Sequence, residues 1–189
     1  MAGTRSVLLV MDFQHGVVER IGSDSAVHAA GRAIVAARGS GVPVMFVRIA
    51  FRTGYPEVAE SNAAFAAAAA AGDSLHEDHH GTQIHPALAP ADDEPVIVKR
   101  RVSAFSGSDL DVLLRGAGAD SIVLSGIATS GVVLSTLRQA ADLDYRITVL
   151  SDACADRDPE LHRILLEKVF PRQAAVCSTQ EWADSLRVC

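Results

Sequence analysis

Short apolar runs alternate with helical patterns along nearly the whole chain, and this alternation is the feature that most constrains its fold. The apolar runs predict six strands, at Ser6–Met11, Val42–Ile49, Pro95–Lys99, Ser121–Ser125, Arg146–Leu150 and Ala174–Cys177. Helical spacing predicts six helices, at Ser25–Arg38, Asn62–Ala71, Asp109–Arg115, Gly131–Leu143, Pro159–Phe170 and Gln180–Leu186. Apolar strands joined by helices form parallel sheets that are covered on both faces. The sequence therefore predicts a three-layer, doubly wound, Rossmann-like α/β fold with a six-stranded parallel sheet.

Length and composition limit what kind of protein this is. A chain of 189 residues, 49% hydrophobic and without an internal repeat or linker, suits one domain over residues 1–189. The formal charge of −6 argues against nucleic acid or an anionic membrane as the main partner. No apolar run approaches the ~18 residues of a membrane span, and the N-terminus does not resemble a signal peptide. Three cysteines without metal-type spacing, Cys154, Cys177 and Cys189, suggest reduced thiols in a cytoplasmic protein.

The stretch Ser121–Asp142 combines a predicted strand, a turn of small residues and a predicted helix. Ser130 is a candidate N-cap, which would leave the backbone N–H groups of Gly131, Val132 and Val133 free at the end of the strand. Such a turn can hold an anion or a developing oxyanion. The alternative is an ordinary strand-to-helix connection whose small residues only allow close packing.

Two charged residues end predicted strands. Asp12 follows the first apolar run and Lys99 ends the third. Asp12 can serve as a helix cap or as an acid whose pKa burial raises and a nearby ammonium lowers. Lys99 can extend outward to solvent, in a basic turn with Arg100 and Arg101, or it can orient a carboxylate and stabilise negative charge.

Three motifs, in this order, resemble those of the isochorismatase-like (cysteine hydrolase) superfamily. They are LLVMDFQ near the start, VIVKRRVSAFSGSDLD in the middle and GIATSGVVLSTLRQAAD after it. The resemblance extends from about Val7 to Leu186. It implies that Asp12 transfers protons, that Lys99 is its partner, and that the turn with Ile127, Ala128 and Val132 stabilises negative charge.

The chain departs from the family at Val132. The amidases of this family carry a cysteine there and its isochorismatases usually a glycine. Valine cannot form a thioester, and Ser130 and Ser135 face other directions on the helix. The resemblance therefore implies a hydrolase that acts on a small molecule without a covalent intermediate. The alternative is a small-molecule-binding or regulatory member of the same fold without turnover.

Other polar residues are candidates for substrate contact. Arginine and aromatic side chains suit a planar substrate with a carboxylate, although surface arginines and core aromatics are the ordinary alternative. The candidates for substrate binding are Gln14, Arg48, Arg52, Tyr55, Phe105 and Thr129. Cys154, after the fifth predicted strand, is either close to the same edge or a buried small residue.

The long segment from Ala50 to Glu94 lacks a predicted strand and is expected to cover the site. Its histidines are His76, His79, His80 and His85. The nicotinamidase branch of the family places its metal ligands after the second strand, where this chain has IAFRTGYPEV without Asp or His. We therefore predict no metal and no cofactor, and a polar histidine loop. The alanine-rich stretch Ala63–Ala71 predicts close packing, and together with the resemblance it predicts a homodimer or larger homo-oligomer.

Overall fold

Six parallel strands form one sheet in the computed structural model, which describes residues 5–187. The strands are β1 (Ser6–Met11), β2 (Val44–Ile49), β3 (Val96–Lys99), β4 (Ser121–Ile127), β5 (Arg146–Ala155) and β6 (Ala175–Cys177). Their order across the sheet is β3-β2-β1-β4-β5-β6. Leu8 of β1 pairs with Val44 of β2 on one side and with Val123 of β4 on the other. The predicted three-layer α/β fold is confirmed.

Helices cover both faces of the sheet. They are α1 (His15–Ile21), α2 (Asp24–Gly39), α3 (Ala63–Ala70), α4 (Leu110–Gly116), α5 (Leu134–Asp142), α6 (Pro159–Ile164) and α7 (Thr179–Ser185). Because successive side chains of a strand point to opposite faces, β1 divides between two cores. Leu9 and Met11 pack with α4 and α5, whereas Leu8 and Val10 pack with α1, α2 and Trp182 of α7.

The strand order reverses at β1, because the chain winds outward to β2 and β3 on one side and to β4, β5 and β6 on the other. In open α/β sheets, the carboxyl ends of the strands at such a reversal form a crevice in which ligands bind. The fold thus places a candidate site between the ends of β1 and β4.

Several elements differ from the sequence prediction. The helix predicted at Pro159–Phe170 is an α-helix only to Ile164 and continues as a π-helical turn, Leu165–Val169. Helix α1 was missed because it is short and buries only Val17 and Val18. Strands β4 and β5 extend further than predicted, to Ile127 and Ala155, past a register shift between Leu124 and Gly126. Small and polar residues in these extensions conceal the strands, since they lack the apolar run on which the prediction depends.

The segment between β2 and β3 lies over the carboxyl edge of the sheet. Besides α3, it contains short 3-10 turns at His80–Thr82 and Pro86–Leu88. Isolated bridges join Gln14 to Ile84 and Phe51 to His76, and they attach the segment to the ends of β1 and β2. Within residues 5–187, no helix is long and apolar enough to cross a membrane.

Candidate active site

Asp12 and Lys99 meet at the carboxyl edge of the sheet. Asp12 follows β1 directly, and its backbone N–H donates to the carbonyl of Val47 in β2. Lys99 ends β3 and pairs in register with Ile49, the last residue of β2. The ammonium Nζ of Lys99 lies 2.9 Å from Oδ2 of Asp12, and both side chains are buried. The central strand order thus brings together two residues that are far apart in sequence.

The surroundings of Asp12 make it a weaker acid than an exposed aspartic acid. Burial raises the pKa of Asp12 above its ordinary value of 3.8, and the ammonium of Lys99 and the guanidinium of Arg20 only partly oppose this rise. The other carboxyl oxygen, Oδ1, is buried and has no hydrogen-bond partner among the described residues. A carboxyl group with a raised pKa and one unoccupied oxygen can give or take a proton.

Lys99 is held in place by two acceptors. Its Nζ contacts Asp12 and also donates to the carbonyl of Arg101 at 3.0 Å. Both contacts fix the direction of the ammonium. The side chain of Lys99 is among the largest fully buried side chains of the described residues. The lysine does not extend to solvent, the alternative that its position at a strand end had left open.

The turn after β4 differs from the expected helix N-terminus. It contains a cis peptide bond between Ile127 and Ala128 and continues as one π-helical turn, Thr129–Val133, before α5 begins. Ala128, and not Ser130, is the N-cap residue, and no side chain caps this turn. Ser130 lies inside the turn and donates its N–H to Oδ2 of Asp156 at 2.6 Å.

Internal hydrogen bonds occupy part of the expected donor set. The N–H groups of Gly131 and Val133 donate to the carbonyl of Ala128, at 3.1 and 3.4 Å. The prediction that both would be free was wrong, because the wider π-type turn directs them back to that carbonyl. The N–H group of Ser130 is not available to a ligand either, because it donates to Asp156.

A cavity of about 270 Å³ lies above the Asp12–Lys99 pair. Strand ends, α1, α3 and the turn after β4 build its wall. The lining residues are Asp12, Val17, Arg20, Ile21, Ile49, Ala64, Phe65, Ala68, Leu75, Lys99, Val102, Ile127, Ala128, Gly131 and Val132. Val132 is buried, with 2% of its surface exposed. The cavity therefore unites the acid, the lysine and the turn, which the sequence had placed at one edge.

A larger cleft of about 940 Å³ lies elsewhere on the long segment, and Tyr55, Asp73 and His76 contribute to its wall. It contains neither Asp12 nor Lys99. We place the candidate active site in the smaller cavity, since it combines a buried acid and a buried ammonium at the strand-order reversal.

All six predicted substrate-binding residues lie outside this cavity. The side-chain amide of Gln14 binds both the N–H and the carbonyl of Ile49 and also the carbonyl of Thr82, so it joins β2 to the long segment. Arg48 donates to the carbonyls of Glu77 and Thr82. These side chains stabilise the segment that covers the sheet edge, and their polar groups are already engaged.

The four remaining candidates also have partners away from the cavity. Arg52 forms an ion pair with Glu57, and the hydroxyl of Tyr55 donates to the carbonyl of Gly72 at 2.7 Å. Phe105 is part of the core on the α4 and α5 face of the sheet. Thr129 is buried, and its Oγ1 lies 2.8 Å from Nδ1 of His162. None of the four lines the cavity, which corrects their assignment to substrate binding.

The histidine loop and Cys154 lie apart from the cavity. Across residues 5–187, no group of three or more His, Cys, Asp or Glu side chains is arranged to hold a metal ion. His80 instead stacks on His15 of α1, with ring centroids 4.1 Å apart. Cys154 is buried within β5, and burial raises the pKa of its thiol to about 12. Cys154 is thus a core residue, while Cys189 lies outside the described residues.

Sequence reasoning missed the residues that α1 and α3 bring to the cavity, among them Arg20 and Phe65. The spacing of Val17, Val18 and Ile21 was the available signal for α1. These residues complete a three-layer α/β protein with a small, partly charged cavity at the carboxyl edge of its sheet.

Comparisons with known proteins place this architecture in a family. A sequence model of the isochorismatase domain matches residues 6–181. An uncharacterized isochorismatase family protein of Escherichia coli O157:H7 is 34% identical over 186 residues, which cover 96% of this chain and 96% of that protein. A ureidoacrylate amidohydrolase of Stutzerimonas stutzeri is 28% identical over 211 residues, which cover 98% of this chain and 82% of that protein.

Solved structures agree with the sequence comparisons. A cysteine hydrolase from Pseudomonas syringae pv. phaseolicola superposes with a TM-score of 0.89, at 23% identity, over 97% of this chain and 93% of that one. At this identity, the likeness shows the fold alone. Together with the domain match, it establishes the architecture. The chain belongs to the isochorismatase family of hydrolases.

Proposed function

We propose that this protein hydrolyses a small molecule by acid/base catalysis at Asp12, with assistance from Lys99 and without a covalent intermediate. The observation that carries the proposal is the buried Asp12–Lys99 pair in the wall of a small cavity, with Oδ1 of Asp12 left without a partner. Perturbed, buried titratable groups in a cavity are typical of active sites. The positions of both residues match those implied by the family resemblance.

The geometry supports a proton-transfer role for Asp12. Because burial raises its pKa, protonated Asp12 can donate a proton to the bond that is cleaved. The resulting carboxylate then faces the ammonium of Lys99 at 2.9 Å, which stabilises its negative charge. Water attacks the activated substrate directly, and the carboxylate can accept a proton from it, which restores the starting state.

Val132 supports the absence of a covalent step. Its side chain lines the cavity at the position where the resemblance places the cysteine of the family's amidases. Valine has no lone pair or acidic proton and cannot attack a carbonyl carbon. The thiol of Cys154 does not replace it, since that thiol is buried in the core and does not line the cavity.

A substrate screen tests this proposal. Vinyl ethers, amides and esters are offered to the wild-type protein, to Asp12→Asn and to Asp142→Asn, a matched control at an exposed residue that ends α5. Loss of a general acid/base typically lowers the rate by about 10²–10⁴-fold. We expect a loss of at least about 100-fold for Asp12→Asn and none for Asp142→Asn. Equal rates in all three proteins would refute the role of Asp12.

A second candidate function is binding of a small molecule without turnover. The observation that favours it is the turn after β4, where Val132 fills space and the N–H groups of Gly131 and Val133 are bonded internally. This candidate predicts ligand binding with no hydrolysis of any screened compound, and little change in affinity in Asp12→Asn.

A cytoplasmic location and assembly into a homo-oligomer stay predictions.

A further inference from the structure

Arg20 introduces a cation at the wall of the cavity. It lies in α1, beside Val17 and Ile21, and all three line the cavity. We propose that Arg20 is the receptor for a carboxylate on the substrate, so that the cavity selects small molecules with one negative charge and an apolar body. This inference rests on the cavity being the substrate site of the proposed function.

The charges of the cavity favour an anion. Its titratable lining residues are Asp12, Lys99 and Arg20. Asp12 and Lys99 offset each other, which leaves Arg20 as the excess charge. Among residues 5–187, the guanidinium of Arg20 has no ion-pair or hydrogen-bond partner, and it is exposed enough to meet a ligand. The cavity is therefore positive although the chain as a whole carries a formal charge of −6.

Neighbouring acidic residues do not cancel this charge. Glu19 precedes Arg20 in α1, but it lines a different cavity together with His15 and Asp24. The influence of Arg20 extends to the acid of the site, because its guanidinium lowers the pKa of Asp12. Arg20 thus lies close enough to a ligand over Asp12 to interact with it electrostatically.

Lys99 is poorly suited to bind the carboxylate. Its ammonium is buried and already contacts both Asp12 and the carbonyl of Arg101. Arginine, in contrast, presents a planar fork of N–H donors that matches a carboxylate with two parallel hydrogen bonds. The two cations therefore have different roles: Lys99 contacts the proton-transfer residue, and Arg20 binds the charged end of the ligand.

The rest of the wall defines the body of the ligand. Ile49, Phe65, Leu75 and Val102 are apolar and surround the space between the charged groups. A volume of about 270 Å³ is below the ≈ 300–1,000 Å³ that is usual for pockets of drug-sized ligands. The ligand class that fits is a small aliphatic or aromatic monocarboxylate, with the bond to be cleaved near Asp12.

Equilibrium binding tests this assignment without requiring turnover. Benzoate and 3-methylbutanoate are titrated calorimetrically, in parallel with their neutral amides, into the wild-type protein and into Arg20→Gln and Arg20→Lys. Arg172→Gln is the matched control. It removes the same charge from an exposed arginine in the short turn Phe170–Arg172 before β6, at the opposite edge of the sheet. Urea unfolding of each variant verifies that the fold is retained.

We expect the wild type and Arg172→Gln to bind the acids at least about tenfold more tightly than the amides, as is reasonable for a charge-assisted pair. Arg20→Gln should bind acids and amides equally, and Arg20→Lys should retain part of the preference. The inference is overturned if the wild type shows no preference or binds neither acid. It is also overturned if Arg20→Gln keeps the preference.

The proposed function fails separately. A protein that prefers acids through Arg20 but hydrolyses nothing would refute catalysis and leave this assignment intact. Hydrolysis that depends on Asp12, in a protein that shows no preference for acids, would support the proposed function and refute the assignment of Arg20.

Discussion

Removal of Lys99 from its pair with Asp12 should destabilise the protein strongly at neutral pH. Two unit charges 2.9 Å apart attract by about 6 kcal/mol at an effective dielectric constant of about 20. Desolvation offsets part of this attraction, and the loss of one partner of a buried pair typically costs about 3–5 kcal/mol. The carbonyl of Arg101 also loses a donor, for about 1 kcal/mol. We therefore expect Lys99→Met to cost about 4 kcal/mol at pH 7.

The cost should depend on pH with a defined sign. Without the ammonium that lowers it, the pKa of Asp12 rises further in the folded variant, while in the unfolded chain it stays near the ordinary 3.8. The folded variant therefore binds a proton that the unfolded chain lacks, and its stability rises as the pH falls towards 4. The slope reaches at most about 1.4 kcal/mol per pH unit. The wild type gains in the same way only below its own, lower Asp12 pKa, so its stability advantage over Lys99→Met should narrow as the pH falls from neutral towards 4.

A double-mutant cycle isolates the pair. Asp12→Asn combined with Lys99→Met removes both charges, so the double variant should recover at least about 2 kcal/mol relative to Lys99→Met alone. Urea unfolding is followed by the fluorescence of Trp182, the only tryptophan, which is buried against the sheet. Lys168→Met is the control, since Lys168 is the only other lysine and is exposed.

Two results would refute this reasoning. The first is a free energy of unfolding for Lys99→Met within about 1 kcal/mol of the wild-type value at pH 7, because a loss that small is expected of an exposed ion pair. The second is a difference that widens as the pH falls, because it would mean that protonation of Asp12 does not relieve the loss of Lys99.

Three further predictions follow from the same structure. In Val132→Cys, the introduced thiol should react with iodoacetamide at neutral pH faster than that of Cys154, because the ammonium of Lys99 favours a thiolate in the cavity. Burial raises the pKa of the Cys154 thiol to about 12. Equal labelling of both positions in peptide mass spectrometry would contradict this prediction. The hydrogen bond from Arg38 lowers the pKa of Glu94 below its ordinary value of 4.5. At pH values above 4.5, Glu94→Gln should therefore lower the free energy of unfolding by about 1 kcal/mol, a small value because solvent screens the half-exposed guanidinium of Arg38. That cost should vanish as the pH falls through the lowered pKa, and urea unfolding at pH 7 and pH 3 measures it. Light scattering at micromolar concentration should give the mass of a dimer or larger homo-oligomer, since α3 has no buried residue within the chain; a monomer mass would count against it.

The sequence by itself determined the architecture and the two central residues of the candidate site. Runs such as Leu8–Met11 are apolar throughout, which is the local pattern of a strand buried on both faces, and helical spacing between the runs requires parallel pairing. In a parallel sheet all carboxyl ends lie at one edge, which places Asp12 and Lys99 on the same edge. The resemblance to the isochorismatase-like superfamily implied that the two residues are partners, and the structure brings them to 2.9 Å.

Only the tertiary structure decided which other side chains reach the cavity. Arg20 lines it because the short helix α1 docks beside the end of β1, and α1 has too few buried residues to leave a clear pattern. Gln14 and Arg48 turn away because backbone carbonyls of the long segment accept their hydrogen bonds. The presence of each strand follows from local periodicity, whereas the direction of a polar side chain depends on partners from distant segments, which no local pattern contains.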